Sequence, residues 1–224
     1  MEEILQTSRT PTMKVAVFDY GAGNVHSACH AIERAGATAI LTHDAGIVAH
    51  AEAVLVPGVG AFGYVMDRFK SRGGPELVRM CLTENKPVLG ICVGMQIFFE
   101  ESTEKGVHSG LGILSGIVEE LPAHKLPHMG WSHVQSAPES RMFTGIGDER
   151  FYFVHSYGRL AQPAVLNLAR EDTVLVAEAQ YSQAFIAAVE SGPLWATQFH
   201  PEKSGHAGLK LLKNWLAAAG KENE

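Results

Sequence analysis

Cys92 stands between two glycines in the segment GICVG (90–94), after the apolar run PVL and before MQIFFEES, which reads as a helix. A G-x-nucleophile-x-G sequence at a strand-to-helix turn is typical of a nucleophile elbow, here with cysteine in place of serine. The turn strains the nucleophile's backbone, and glycines let neighbouring elements pack closely. The helix N-terminus favours the thiolate, which attacks carbonyl carbons. A buried packing cysteine gives the same local pattern, so the elbow alone leaves both interpretations open.

A second segment, LWATQFHPEKS, favours the catalytic interpretation. His200 and Glu202 are two residues apart, and in extended chain such residues point to the same side. A carboxylate beside an imidazole fixes its tautomer, so His200 can take the thiol proton and deliver it to a leaving amine. A histidine alone is more often a hydrogen-bonded core residue. Together with the elbow, however, the pattern predicts a cysteine hydrolase triad of Cys92, His200 and Glu202.

Acyl transfer also needs donors for the oxyanion that develops on the attacked carbonyl. The glycine-rich segment VLVPGVGAFG follows another predicted strand and offers backbone N–H groups in the loop at Gly58, Val59 and Gly60. Val59 or Gly60 would supply one donor, and Val93, directly after the nucleophile, would supply the other. A purely structural turn is the alternative, but ligands collect at strand ends in open α/β sheets.

The elements that must position these residues alternate between strands and helices up to about residue 117. The strands are nearly continuous apolar runs, as a parallel sheet covered on both faces requires. Later segments read as short antiparallel strands that extend the same sheet, and a last amphipathic helix is expected to end at Gly220. We therefore predict one α/β domain over residues 13–220, a three-layer sandwich with a mixed, mostly parallel sheet. Residues 1–12 read as a mobile extension and residues 221–224 as a tail.

Composition excludes several classes of function. The 224 residues are 46% hydrophobic and carry a formal charge of −6, without the basic stripe of a nucleic-acid binder. No apolar run is long enough to span a membrane, so we expect no membrane contact. Three cysteines without a disulfide framework fit a reducing cytoplasm. His124 and His128 have no carboxylate or cysteine at ligand spacing, so we expect no metal and no cofactor.

The combined motifs resemble a known family. The motifs are PGVGAFG, GICVGMQ, LPHMGW, FYFVHSY and QFHPEKS. They are similar to those of the class I, triad-type glutamine amidotransferases, in particular the glutaminase subunits of imidazole glycerol phosphate synthase. The resemblance implies a flavodoxin-like fold and hydrolysis of L-glutamine through a thioester on Cys92. It also implies a heterodimer with a separate (β/α)8-barrel cyclase, to which the ammonia passes.

The resemblance also assigns roles to individual residues. Those expected to bind glutamine are Gln96, Glu104, His155, Ser156 and Tyr157. Those expected at the partner interface and ammonia passage are Asn24, Met129, Trp131, Tyr152 and Lys203. A solvated surface position or a core position is the alternative for each of these side chains.

Two other functions remain as alternatives. The chain could be a glutaminase that serves another synthase, although LPHMGW and PGVG argue against that. It could also be a non-catalytic docking subunit, although the triad stands intact and in order.

Overall fold

The computed structural model describes residues 12–21, 24–161 and 173–222, with side chains described through Gly220. The expected mobile extension lies outside the described residues except for Thr12, and so do residues 223–224 of the expected tail.

In the described part of the chain, strands and helices largely alternate up to β5, and strands then follow one another up to β13. The strands are β1 (Lys14–Phe18), β2 (Thr38–Thr42), β3 (Ala53–Gly58), β4 (Val88–Cys92), β5 (Phe99–Ser102), β6 (His108–Ser109), β7 (Leu114–Glu120), β8 (His128–His133), β9 (Arg150–His155), β10 (Tyr157–Gly158), β11 (Leu175–Tyr181), β12 (Gln183–Ser191) and β13 (Leu194–Thr197). The helices are α1 (Val25–Ala35), α2 (Ala45–His50), α3 (Phe62–Ser71), α4 (Gly74–Thr83), α5 (Val93–Gln96) and α6 (Gly205–Glu222), with a 3-10 turn at Pro201–Lys203.

A seven-stranded sheet in the order β11-β12-β13-β4-β3-β1-β2 forms the centre of the molecule. The pairs from β13 to β2 are parallel, and the pairs β11–β12 and β12–β13 are antiparallel. β3 and β4 are buried at every residue, which is why their sequences are unbroken apolar runs. The expected mixed, mostly parallel sheet is confirmed.

Helices cover both faces of this sheet. The chain moves one way from β1 to β2 and the opposite way from β2 to β3, so right-handed crossovers place α1 and α2 on opposite faces. α6 packs against α1, whereas α3 and α2 pack against α4. The result is the expected three-layer α/β sandwich.

Two expectations about the later strands are wrong. Only β11, β12 and β13 join the central sheet; β10, β7, β5 and β6 form a separate four-stranded sheet, and β8 and β9 form a two-stranded one. β13 occupies the position beside β4, and β12 and β11 follow it outward, so strands β5 to β10 pair with one another outside the central sheet. β13 is also parallel to β4, whereas the sequence indicated antiparallel pairing throughout this region.

The helices after the elbow and at the C-terminus also differ from expectation. α5 is a single turn that ends at Gln96, and Phe99–Ser102 is a strand paired with β6 and β7. Ile97, Phe98 and Phe99 are all buried, so this run has no polar face and its periodicity does not distinguish helix from strand. At the other end, α6 continues to Glu222, two residues beyond Gly220.

Among the described residues, no helix combines the length and apolar character needed to cross a bilayer.

Candidate active site

The turn at Cys92 has the geometry of a nucleophile elbow. Cys92 ends β4 and precedes α5, with φ 56° and ψ −111°, a backbone conformation that side chains with a Cβ rarely adopt. A Cβ on Gly94 would overlap the carbonyl oxygen of Val56, and one on Gly90 would lie 2.5 Å from the ring of Phe98. The two glycines are therefore required because neighbouring backbone and side chains fill the space around the turn.

Three adjacent strands of the central sheet bring the predicted residues together. β4 ends at Cys92, β3 ends at Gly58 beside it, and the chain leaving β13 carries His200. A cleft of about 670 Å³ opens at these strand ends. Its lining residues are Asn24, Val59, Gly60, Cys92, Val93, Gln96, Glu104, Lys105, Pro127, Val154, His155, Ser156, Tyr157, His200 and Lys203. Every sequence-predicted glutamine-binding residue is among them.

His200 and Glu202 form a buried pair. The Nδ1 of His200 lies 2.7 Å from Oε1 of Glu202, and their side chains are 2% and 6% exposed. Residues 201–203 form a 3-10 turn, so the extended spacer expected from the sequence is wrong although the pairing is present. Because the carboxylate accepts from Nδ1–H, the second ring nitrogen, Nε2, is free to act as a base.

The electrostatic surroundings of His200 favour the imidazolium. Burial disfavours the charged ring, but the Cys92 sulfur and the Glu202 carboxylate outweigh burial and raise the pKa of His200 well above its ordinary value. Nε2 is buried and has no hydrogen-bond partner among the described residues.

The backbone of His200 is held from behind by β9. Its N–H donates to the carbonyl of Tyr152 at 2.9 Å. The Ser204 hydroxyl donates to the carbonyl of His200 at 2.7 Å and accepts from the N–H of Tyr152 at 2.9 Å. Displacement of β9 would thus displace the histidine.

Sequence reasoning missed Gln198, which lies beside the nucleophile. Its Nε2 donates to Sγ of Cys92 at 3.6 Å, and its Oε1 accepts from Nε2 of Gln96 at 2.9 Å. Gln96 also donates to the carbonyl of Tyr157 at 2.8 Å. The alternation in TQFH was the available signal, because it places Gln198 and His200 on one side of the chain.

Sequence reasoning also missed that His155 and His128 form a buried, hydrogen-bonded pair. His155 donates from Nδ1 to the carbonyl of Tyr157 at 2.9 Å, which leaves its Nε2 to accept from Nδ1 of His128 at 3.3 Å. The Ser132 hydroxyl completes the chain at Nε2 of His128, at 3.0 Å. Burial lowers the pKa of His155 to about 3 and also lowers that of His128, so both rings are neutral.

The loop expected to supply the oxyanion donors is fixed at both ends. The hydroxyl of buried Tyr20 donates to the carbonyl of Pro57 at 2.5 Å. At the other end, Glu104 accepts from the N–H of Phe62 at 2.7 Å and so caps α3, which has no side-chain cap of its own. Val59 and Gly60 lie between these anchors, on the cleft wall.

The residues expected at a partner interface fall into two groups. Asn24, the N-cap of α1, and exposed Lys203 line the cleft. Met129 and Trp131 lie on the outer face of β8 and are 63% and 52% exposed. The Trp131 ring meets the Tyr152 ring edge-on at 5.9 Å, so this second group is joined to the strand that holds His200.

No group of three or more candidate metal ligands occurs within the described ranges.

A cysteine at a strained strand-to-helix turn, with a histidine–glutamate pair just after the neighbouring strand β13, is the arrangement that triad-type cysteine hydrolases use. Comparison with known proteins agrees. The family model for class I glutamine amidotransferases matches residues 16–219, so the chain belongs to that family.

Curated relatives narrow the family further. The chain is 50% identical over 206 residues to the imidazole glycerol phosphate synthase subunit HisH of Leifsonia xyli subsp. xyli, covering 91% of this chain and 98% of the relative. It is also 50% identical over 208 residues to the subunit of the same name from Corynebacterium glutamicum, covering 92% and 98%.

Solved structures agree on the fold. A glutamine amidotransferase structure superposes with a TM-score of 0.67 at 20% identity, and PurLQS from Thermotoga maritima with 0.66 at 19%. Each comparison covers 92% of this chain and 98% of the other.

Proposed function

We propose that this chain is the glutaminase subunit of an imidazole glycerol phosphate synthase in histidine biosynthesis. The observation that carries the proposal is that His200, paired with buried Glu202, lines the same cleft as Cys92. The roughly 50% identity to HisH subunits over nine-tenths of the chain supports the particular synthase.

The chemistry begins with attack of the Cys92 thiolate on the carboxamide carbon of L-glutamine. Backbone N–H groups of the loop at Gly58, Val59 and Gly60 and of Val93 would stabilise the oxyanion. The C–N bond breaks as Nε2–H of His200 gives its proton to the leaving nitrogen, so ammonia departs and a thioester remains. Water then attacks the thioester with His200 as the base, releasing glutamate and restoring the thiolate.

Substrate recognition uses the rest of the cleft. Glu104 supplies a carboxylate suited to the α-ammonium group, and the backbone around Ser156 and Tyr157 suits the α-carboxylate. Gln96 lies between them and the nucleophile, with both Nε2 hydrogens donated within the protein, so its Oε1 is the atom available to substrate. His155 holds the Tyr157 carbonyl in place from behind.

The partner we infer is a cyclase subunit with a (β/α)8 barrel, bound as a heterodimer. Asn24, Met129, Trp131, Tyr152 and Lys203 would meet it, and ammonia would cross there. The cyclase would combine ammonia with its nucleotide substrate to give imidazole glycerol phosphate and an aminoimidazole carboxamide ribotide. Both subunits would lie in the cytoplasm, which suits the free cysteines Cys29, Cys81 and Cys92.

The domain assignment follows from the same proposal. Residues 13–220 would be the glutamine amidotransferase domain, with residues 1–12 and 221–224 outside it.

Glutamate release from L-glutamine tests the proposal. It is measured for the chain alone and with a barrel cyclase plus that cyclase's nucleotide ligand, with Cys92→Ala beside it. Activity that requires the complex and disappears in the variant is expected. Activity indifferent to the barrel would refute the partner, and no activity under any condition would favour a non-catalytic docking subunit.

A further inference from the structure

We propose that Gln198 is a positioning residue that holds the Cys92 sulfur by a directed N–H···S hydrogen bond and stabilises its thiolate. The proposal deepens the glutaminase function proposed above. Only its kinetic prediction depends on that function. Three buried side chains carry it: Gln198, Gln96 and Cys92 are 1%, 3% and 4% exposed.

The direction of this hydrogen bond is fixed by a backbone carbonyl. The carbonyl of Tyr157 can only accept, so the Gln96 atom that faces it at 2.8 Å must be the amide nitrogen. That same nitrogen faces the side chain of Gln198 at 2.9 Å, so the Gln198 atom there must be the oxygen. The amide nitrogen of Gln198 is therefore the atom left to face Sγ of Cys92, at 3.6 Å.

The carbonyl at the origin of this chain is itself held. His155 donates to it from the other side at 2.9 Å, and that ring is oriented in turn by His128. The backbone of Gln198 is fixed as well, because its N–H donates to the carbonyl of Ala187 on β12 at 2.8 Å. Neither amide can flip without breaking at least one buried hydrogen bond.

A donor aimed at the sulfur favours the thiolate over the thiol. It also restrains the sulfur within the strained elbow, where the backbone alone leaves side-chain rotation free. His200 is the proton acceptor, whereas Gln198 carries no proton that it can exchange at neutral pH. The two residues therefore have separable effects: one moves the proton, and the other sets the position and charge of the sulfur.

The test is the pH dependence of Cys92 alkylation by iodoacetamide, read from the mass of the Cys92 peptide of the full-length chain. Gln198→Met keeps side-chain length but removes both the donor to Cys92 and the oxygen that accepts from Gln96. Gln198→Glu keeps the acceptor toward Gln96 and replaces the donor with a carboxylate. Gln180→Met changes an exposed glutamine and serves as the control. All other titratable groups around the sulfur stay in place: His200, Glu202, Tyr20, Glu104, Lys105, His155, Tyr157 and Lys203.

The alkylation midpoint is the pH at which the alkylation rate is half of its maximum. In Gln198→Met it should move upward by about one pH unit, because a hydrogen bond to a charged group is lost. Gln198→Glu should move it further, because a carboxylate repels the thiolate. In the complex, kcat for glutamate release by Gln198→Glu, which keeps an oxygen that accepts from Gln96, should fall at least about tenfold while KM changes less than about twofold. Gln180→Met should match the wild type in both assays.

An unchanged midpoint in either folded variant would overturn the proposal, and circular dichroism shows which variants fold. If Gln198→Met fails to fold, Gln198→Glu, which keeps a polar group in the site, decides the question. The alkylation midpoint needs no glutaminase activity. A shifted midpoint in a chain that releases no glutamate even in the complex would therefore refute the proposed function and leave the hydrogen bond supported.

Discussion

Two buried cysteines in this chain have very different surroundings. Cys81 lies in α4 with no exposed surface, and burial raises the pKa of its thiol to about 11. Cys92 is 4% exposed and ends β4 with a positive φ. A donor amide faces its sulfur, and His200, which is paired with Glu202, lines the same cleft. Residue type and burial are nearly the same for the two. The difference lies in the neighbouring strand ends, which supply charge and hydrogen bonds to Cys92 alone.

The largest expected effect is the difference in thiol reactivity between these cysteines. With a pKa about 11, Cys81 is a thiolate in roughly one molecule in ten thousand at pH 7. Iodoacetamide should therefore modify Cys92 at least ~100-fold faster than Cys81, as measured by peptide mass spectrometry over time. Equal rates in the folded chain would show that the elbow does not activate its cysteine.

The next effect concerns the glycines that make the elbow possible. Gly94→Ala would force a methyl group into the carbonyl of Val56, which belongs to rigid sheet backbone. Overpacking of this kind should destabilise the protein by about 3 kcal/mol and lower Tm by about 10 °C. Thermal unfolding followed by circular dichroism measures this change.

Gly147→Ala is the matched control for that substitution. Gly147 is exposed, and a Cβ there meets no atom within 4 Å, so Tm should stay within about 2 °C of the wild type. A Gly94→Ala protein as stable as Gly147→Ala would contradict the packing argument for the elbow.

The smallest effect concerns the buried, neutral ring of His155. In the folded state the pKa of His155 is about 3, whereas an unfolded histidine titrates near its ordinary value. Below pH 6.5 the unfolded state therefore binds more protons, and the free energy of unfolding falls as pH decreases, by at most ~1.4 kcal/mol per unit for this residue. Denaturant unfolding at pH 7, 6 and 5 measures that slope.

His155→Asn should reduce the slope, because asparagine does not titrate and can still donate to the carbonyl of Tyr157. His206→Asn, at an exposed position of α6, should keep the wild-type slope. An undiminished slope in His155→Asn would mean that this ring is not held neutral.

The sequence predicted the parts of the site that depend on local pattern. The elbow, the His200–Glu202 pairing and the parallel strands are each encoded within a few consecutive residues. Sequence reasoning missed Gln198 and the His128–His155 pair, because their partners lie far along the chain and only tertiary packing brings them together.

The errors have a similar cause. Residues 97–99 are apolar and buried on every side, so their spacing has no informative periodicity and the prediction of helix there is wrong. The prediction that β7 to β10 extend the central sheet is wrong because nothing in the local sequence shows that β13 takes the place beside β4.

The central claim is that glutamine is hydrolysed through a thioester on Cys92 and on no other cysteine. Hydroxylamine intercepts thioesters, so the decisive measurement is γ-glutamyl hydroxamate formation from L-glutamine by the complex, with Cys92→Ala and Cys81→Ala in parallel. We predict hydroxamate with the wild type and with Cys81→Ala, and none with Cys92→Ala. Hydroxamate from Cys92→Ala, or none from a wild-type complex that releases glutamate, would contradict the account.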